Sequence, residues 1–251
     1  MPELTVVQMV LVGLIFIWSG FVRSGLGFGG AALSLPVLLY IVDNPLFWLP
    51  VIACHLLIFS GLTLYNRLEN VDWTYLKKAL LIMILPKIAG VLGLLNLPDD
   101  LLLIIIYAIT TVYGLTYIFN ITFKSKNRYI DRALLIMGAY ASGTSLIGAP
   151  LISAVFARHV EISRLRDTLF VLWFILVVFK LSAFISFGVD LHLKTMMYLL
   201  PFVALGHISG LKAHRYLIQG NGGKFKIILG IVLTCISGYA LVSMMFDQAP
   251  K

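Results

Sequence analysis

The sequence predicts an all-α integral membrane protein made of two inverted repeats, each a broken, re-entrant helix hairpin followed by three transmembrane helices. Three observations carry that prediction. Of the 251 residues, 60% are hydrophobic and only 12% charged, about half the charge of a soluble domain. The apolar runs fall into two sets in the same order, offset by 118 residues. Lys and Arg gather on one face if each set opens with a segment that enters the membrane and turns back.

The first segment, 4–42, is interrupted at Ser24-Gly-Leu-Gly-Phe-Gly-Gly30, although residues 4–22 are nearly long enough to cross alone. Runs 46–65, 79–97 and 101–120 follow, each able to span about 30 Å of hydrocarbon at about 1.5 Å per residue. These make repeat one, residues 1–120. A cytoplasmic linker, 121–132, leads to repeat two, residues 133–251. Its segment 133–157 breaks at Ser142-Gly-Thr-Ser-Leu-Ile-Gly148, and residues 133–143 make a helix of about 16 Å, half a bilayer. Runs 168–187, 195–212 and 227–246 complete the chain. Asp72 and Asp190, ahead of the next helix in each repeat, are expected as N-caps. Trp48, Tyr65, Trp73 and Tyr198 are expected as interfacial anchors. The first 22 residues carry no Lys or Arg, which argues against a signal peptide.

The duplication is visible residue by residue. Gly20, Ser24, Gly25, Gly30, Ala31, Leu33, Val37 and Val42 match Gly138, Ser142, Gly143, Gly148, Ala149, Leu151, Val155 and Val160. The same offset carries Val71-Asp72 onto Val189-Asp190 without a gap. Such internal repetition is the mark of a repeated architecture. With each interrupted segment read as a hairpin, loops 66–78, 121–132, 158–166 and 212–226 share one face and hold 14 of the 19 Lys and Arg. The opposite face holds Lys194 and Lys251, and a single crossing by 133–157 would nearly erase the asymmetry. The positive face is cytoplasmic, which puts both termini outside. Three membrane crossings per repeat invert the second copy, the plan of secondary transporters with a site at the midplane.

A helix broken at membrane depth leaves amide N–H groups that need a partner. The helix that starts after each break directs partial positive charge at that place. Ser24, Gly25, Gly27, Gly29 and Gly30 at the first break, and Ser142, Gly143, Thr144, Ser145 and Gly148 at the second, are therefore candidate anion-binding residues. Arg23, Lys87 and Lys180 lie inside membrane runs with no Asp or Glu in those runs to pair with. Such costly charges mark a pathway and complete the candidate site. Simpler roles stand beside these. Glycine breaks also serve close helix packing, Arg23 could cap carbonyls of its own hairpin, and Lys180 could snorkel to the interface. His55 and His207 are either structural or the candidates for proton coupling.

Other function classes find little support. The two cysteines, Cys54 and Cys235, have no CxxC spacing and read as small hydrophobes. There is no metal-ligand cluster, no nucleophile triad and no intramembrane carboxylate pair. Neither metal nor cofactor is expected, nor an enzyme. The net charge of +8 belongs to the loops, so nucleic acid is not an expected partner. The partners expected are a small anionic substrate and the lipid bilayer, and homo-oligomerisation is left open.

The stretch "GFVRSGLGFGGAALSLPVL" (20–38), its match "GAYASGTSLIGAPLISAV" (138–155) and the paired Val-Asp together resemble the sulfite exporter TauE/SafE family over roughly 8–246. The resemblance implies a bacterial inner-membrane permease that moves small sulfur-containing anions, sulfite or sulfonates, outward. Two departures fall where substrate would be handled. Thr144-Ser145-Leu146-Ile147 replaces a more glycine-rich stretch, and the Thr that opens the next helix survives as Thr168 but is Pro50 in repeat one. An anion channel and a non-transporting assembly subunit are the alternatives.

Overall fold

In a computed structural model the described residues are 4–26, 30–65, 67–121, 127–216 and 222–247, and they form ten α-helices with one short 3-10 turn and no strand. Seven of these helices are long and apolar enough to cross a membrane. They are α1 (Val6–Leu26), α3 (Pro45–Leu64), α4 (Trp73–Asn96), α5 (Asp99–Ile118), α8 (Ile162–Ser186), α9 (Leu193–Tyr216) and α10 (Gly222–Asp247). The other three are α2 (Gly30–Leu39), α6 (Arg128–Ser145) and α7 (Ala149–His159).

Each of the six apolar runs falls in a helix long and apolar enough to cross, and most of these helices extend beyond the run. Lys and Arg are good helix formers, so an apolar run marks the hydrocarbon rather than the helix end. Thus α4 begins at Trp73, ahead of Lys77 and Lys78, with the Asp72 carboxylate accepting from the Tyr75 amide at 2.9 Å. Asp190 does not cap in this way. It accepts from the His192 amide at 2.8 Å, and His192 sits at φ 48 just before α9. The interrupted segments are also longer than half-depth pieces. With 21 residues, α1 is about 31 Å long, and the 18 residues of α6 make about 27 Å. Asn127 caps α6 through the Tyr129 amide at 2.9 Å, so the helix gains a polar first turn that hydropathy does not register.

Packing interleaves the two halves of the chain. The most extensive contacts pair α1 with α9, α4 with α6, α5 with α10 and α3 with α8. Each pair joins one helix from before the 122–126 connection with one from after it. Gly206 and Gly210 of α9 lie against Ile17 and Phe21 of α1, four residues on in each case, so the two helices run parallel. Gly90 of α4 and Gly143 of α6 meet backbone to backbone, as do Gly114 of α5 and Gly230 of α10. Small residues at such contacts are how helices approach closely where lipid supplies no hydrophobic drive.

Among the described residues the cores are one around α1, α2, α3, α5, α8 and α9, one around α4, α6, α7 and α8, and a small one that joins Val22 and Leu33 to Leu229 and Leu233 of α10. Tyr65, Trp73 and Tyr198 are exposed, as interfacial anchors require, but Trp48 is not. Trp48 is fully buried beside Phe16 and Phe47, and its indole donates to Val42 O at 3.0 Å, which pins the turn between α2 and α3. Thr168 lies inside α8 rather than at its start. It accepts from the Asp72 amide at 2.9 Å and so ties α8 to the cap of α4.

Candidate functional site

The second interruption is built by Leu146. This residue is the C-cap of α6 in the left-handed conformation, φ 61, and its amide donates to Ser142 O. A non-glycine residue there costs about 1–2 kcal/mol, and such outliers collect at functional sites. The chain then restarts at once as α7, whose N-cap Gly148 supplies no side-chain hydrogen bond. Glycine is required at this position: a Cβ on Gly148 would lie 2.7 Å from the Ser142 Cβ. At the first interruption a Cβ on Gly30, the first residue of α2, would lie 2.7 Å from Ser19 O. Both short helices therefore begin pressed against the helix before the break. Gly27 and Gly29 lie outside the described residues.

Between these two helix starts is a cavity of about 40 Å³, room for a few waters or one compact ion. Arg23 and Ser142 supply its polar side chains, Gly30 and Ala149 bring the first residues of α2 and α7, and Leu146 and Trp173 are among its apolar walls. Arg23 is 4% exposed. One guanidinium nitrogen, Nη1, donates to His55 O at 3.4 Å on α3, and Nε and Nη2 have no hydrogen-bond partner among the described residues. Phe59 lies 5.1 Å from Cζ as a cation–π contact. A guanidinium has five N–H groups to satisfy, so this one arrives at the cavity short of acceptors. Among the described residues Arg23 caps no carbonyl of its own hairpin.

The two lysines are placed differently. Lys87 and Lys180 are fully buried. Lys87 Nζ donates to Ser142 O at 2.8 Å and to Ser142 Oγ at 2.9 Å. Lys180 Nζ donates to Gly143 O at 2.7 Å and Thr144 O at 3.3 Å. Both lysines meet carbonyls of the last turn of α6, the negative end of its dipole, and Ser142 O accepts from the Leu146 amide as well. Neither lysine lines the cavity, and Lys180 does not snorkel. The first interruption is closed similarly by residues the sequence did not single out. Arg166 donates to Ser24 O at 3.3 Å and His214 Nδ1 to Gly25 O at 2.6 Å. Their only signal in the sequence was basic character near the loop face.

The remaining candidates divide. Gly143 packs against Gly90, while Thr144 and Ser145 donate their hydroxyls to Ala141 O of their own helix. Ser24 Oγ meets His207 Nδ1 at 2.6 Å, and the His207 ring lies 4.9 Å from Phe59. His55 Nε2 meets Met196 O at 2.9 Å. A carbonyl only accepts, so Nε2 carries the hydrogen, and Nδ1 is left bare with no partner among the described residues. The structure thus brings Arg23, Gly30 and Ser142 to one cavity, sets Lys87 and Lys180 behind Ser142 and its neighbours, and puts His55 and His207 around Arg23.

No curated protein and no solved structure matches the chain. A profile of the family described as Sulfite exporter TauE/SafE does, over residues 11–240. Seven apolar spans and a profile that takes in most of them leave one assignment: this multi-pass membrane chain belongs to the TauE/SafE sulfite exporter family.

Proposed function

We propose that the protein is a secondary transporter that exports small sulfur-containing anions, sulfite or sulfonates, and that the cavity beside Arg23 is its binding site. The observation that carries this is Arg23, a buried cation with two unsatisfied nitrogens at a cavity shared by the starts of α2 and α7. An oxyanion would satisfy the guanidinium in bidentate fashion and meet the positive ends of both helices. The family supports the substrate class.

Two inverted repeats, at 1–120 and 133–251, form the frame for that site. The cross-half pairings support this, because α1 with α9 and α6 with α4 are the same relation read from either half. So do Ser24 and Ser142, each hydrogen-bonded from the fourth helix of the other half, by His207 and Lys87. In this arrangement α2 and α7 are re-entrant, the basic loops and the linker 121–132 are cytoplasmic and both termini face outside, in an inner membrane. Lys87 and Lys180 supply positive field one shell from the ion. His55 and His207 flank Arg23 as the titratable groups through which proton coupling would run.

The test is sulfite efflux from proteoliposomes together with sulfite affinity measured as a thermal shift. Arg23→Gln should weaken sulfite binding at least about tenfold, the scale of a hydrogen bond to a charged group. Wild-type liposomes without sulfite- or sulfonate-dependent flux would exclude the transport assignment. Unaltered affinity in Arg23→Gln would move the site elsewhere.

A further inference from the structure

We infer that Lys87 is a positioning residue, which holds the Ser142 hydroxyl as an obligatory hydrogen-bond donor to the bound anion. The inference rests on the cavity being the anion site. An ammonium group has three donors and no acceptor, whereas a serine hydroxyl has one hydrogen and two lone pairs. Lys87 Nζ donates to Ser142 Oγ at 2.9 Å; in its ammonium form it can only take a lone pair there, which turns the hydroxyl hydrogen elsewhere. Helical Ser and Thr commonly send that hydrogen back to a carbonyl three or four residues earlier. Thr144 and Ser145 do so, but Ser142 donates to no group among the described residues. Ser142 lines the cavity, so an occupant with acceptor oxygens supplies what the helix does not.

The matching serine of the first half shows the difference. Ser24 Oγ meets an imidazole nitrogen, His207 Nδ1. That nitrogen can accept the hydroxyl hydrogen, so Ser24 is not obliged to look outside the protein. Lys87 leaves Ser142 no such choice. A charged donor on the oxygen also polarises the O–H bond and strengthens its outgoing hydrogen bond. The site should consequently prefer anions with localised oxygen acceptors over equally charged ions that accept hydrogen bonds poorly.

The experiment is a double-mutant cycle on the purified full chain, with sulfite and iodide as the two probes. Ser142→Ala should weaken sulfite binding at least fivefold and change iodide binding less than twofold. Ser142→Cys, nearly isosteric but a poor donor, should behave alike. Lys87→Met should weaken sulfite similarly in the wild-type background and less than twofold in the Ser142→Ala background. Equal losses for both probes at Ser142, or an equal cost of Lys87→Met in both backgrounds, would overturn the inference. Should Lys87→Met not fold, the sulfite-to-iodide ratio of the two Ser142 variants decides by itself. Arg23→Gln separates the two layers. Loss at Arg23 without loss at Ser142 refutes only the positioning role, whereas no loss at Arg23 refutes the cavity as the anion site.

Discussion

Lys87 and Lys180 place their amino groups in an apolar interior, and neither meets a carboxylate among the described residues. Each is matched to two α6 oxygens, at Ser142 for Lys87 and at Gly143 and Thr144 for Lys180. The end of α6 is thereby supported at its most electronegative point. Lys180→Met should leave buried carbonyls without partners and lower stability by about 1–3 kcal/mol, read as a lower unfolding midpoint, while Lys180→Arg should recover part of it. All three intramembrane cations were legible in the sequence, because a charge in an apolar run is conspicuous. Their division of labour was not. Which cation meets a carbonyl and which meets a cavity depends on the rotation of α4 and α8 about their own axes, and near-uniform hydrophobicity around those helices carries no signal for it. The aromatic face of Phe59 under Arg23 was hidden for the same reason.

The interruptions themselves were readable as elements, since glycine and hydroxyl residues punctuate both, but their mechanics differ from what glycine alone suggests. Gly148 is needed for closeness and Leu146 makes the turn. Leu146 is buried at a φ that glycine adopts freely and other residues adopt only at a cost. Leu146→Ala and Leu146→Gly lose nearly the same packing, yet only glycine relieves the backbone. The Gly variant should therefore be the more stable of the two by about 1 kcal/mol, the reverse of the ordinary helix preference. Thermal unfolding of the two in one detergent checks it. Element lengths were read less well. The polar first turn of α6 and the charged ends of α4 and α8 lie outside any hydropathy window, and so the helix expected over 133–143, about 16 Å, is the 18-residue α6 of about 27 Å.

At the scale of the molecule the two halves hold each other. Eight matched residues at one offset suggested a duplication with a linker at 121–132; α5 ends at Ile118 and α6 begins at Arg128, so the last five residues of that expected linker are helical. What no pattern of apolar residues could give was the exchange of partners, with α1 lodged on α9 and α6 on α4. Glycine-to-backbone approaches on those pairs leave little that another helix could replace. Cutting the chain within 122–126 and expressing both pieces together should give a complex that co-purifies and carries sulfite, whereas either piece alone should be degraded. Survival of the first piece alone as a stable species would show that the exchange is dispensable.

The lodging of α1 on α9 also bears on how the chain is made. The ribosome delivers α9 nearly two hundred residues after α1, which at about 5–20 residues per second is a delay of roughly ten to forty seconds. Throughout that interval the face of α1 that holds Ile17, Gly20 and Phe21, later set against the α9 backbone, meets lipid, or a helper in the insertion machinery, with its eventual neighbour not yet synthesised. Biogenesis of this protein is thus tied to the pace of translation, and slowing elongation after α5 should raise the fraction lost to membrane proteases.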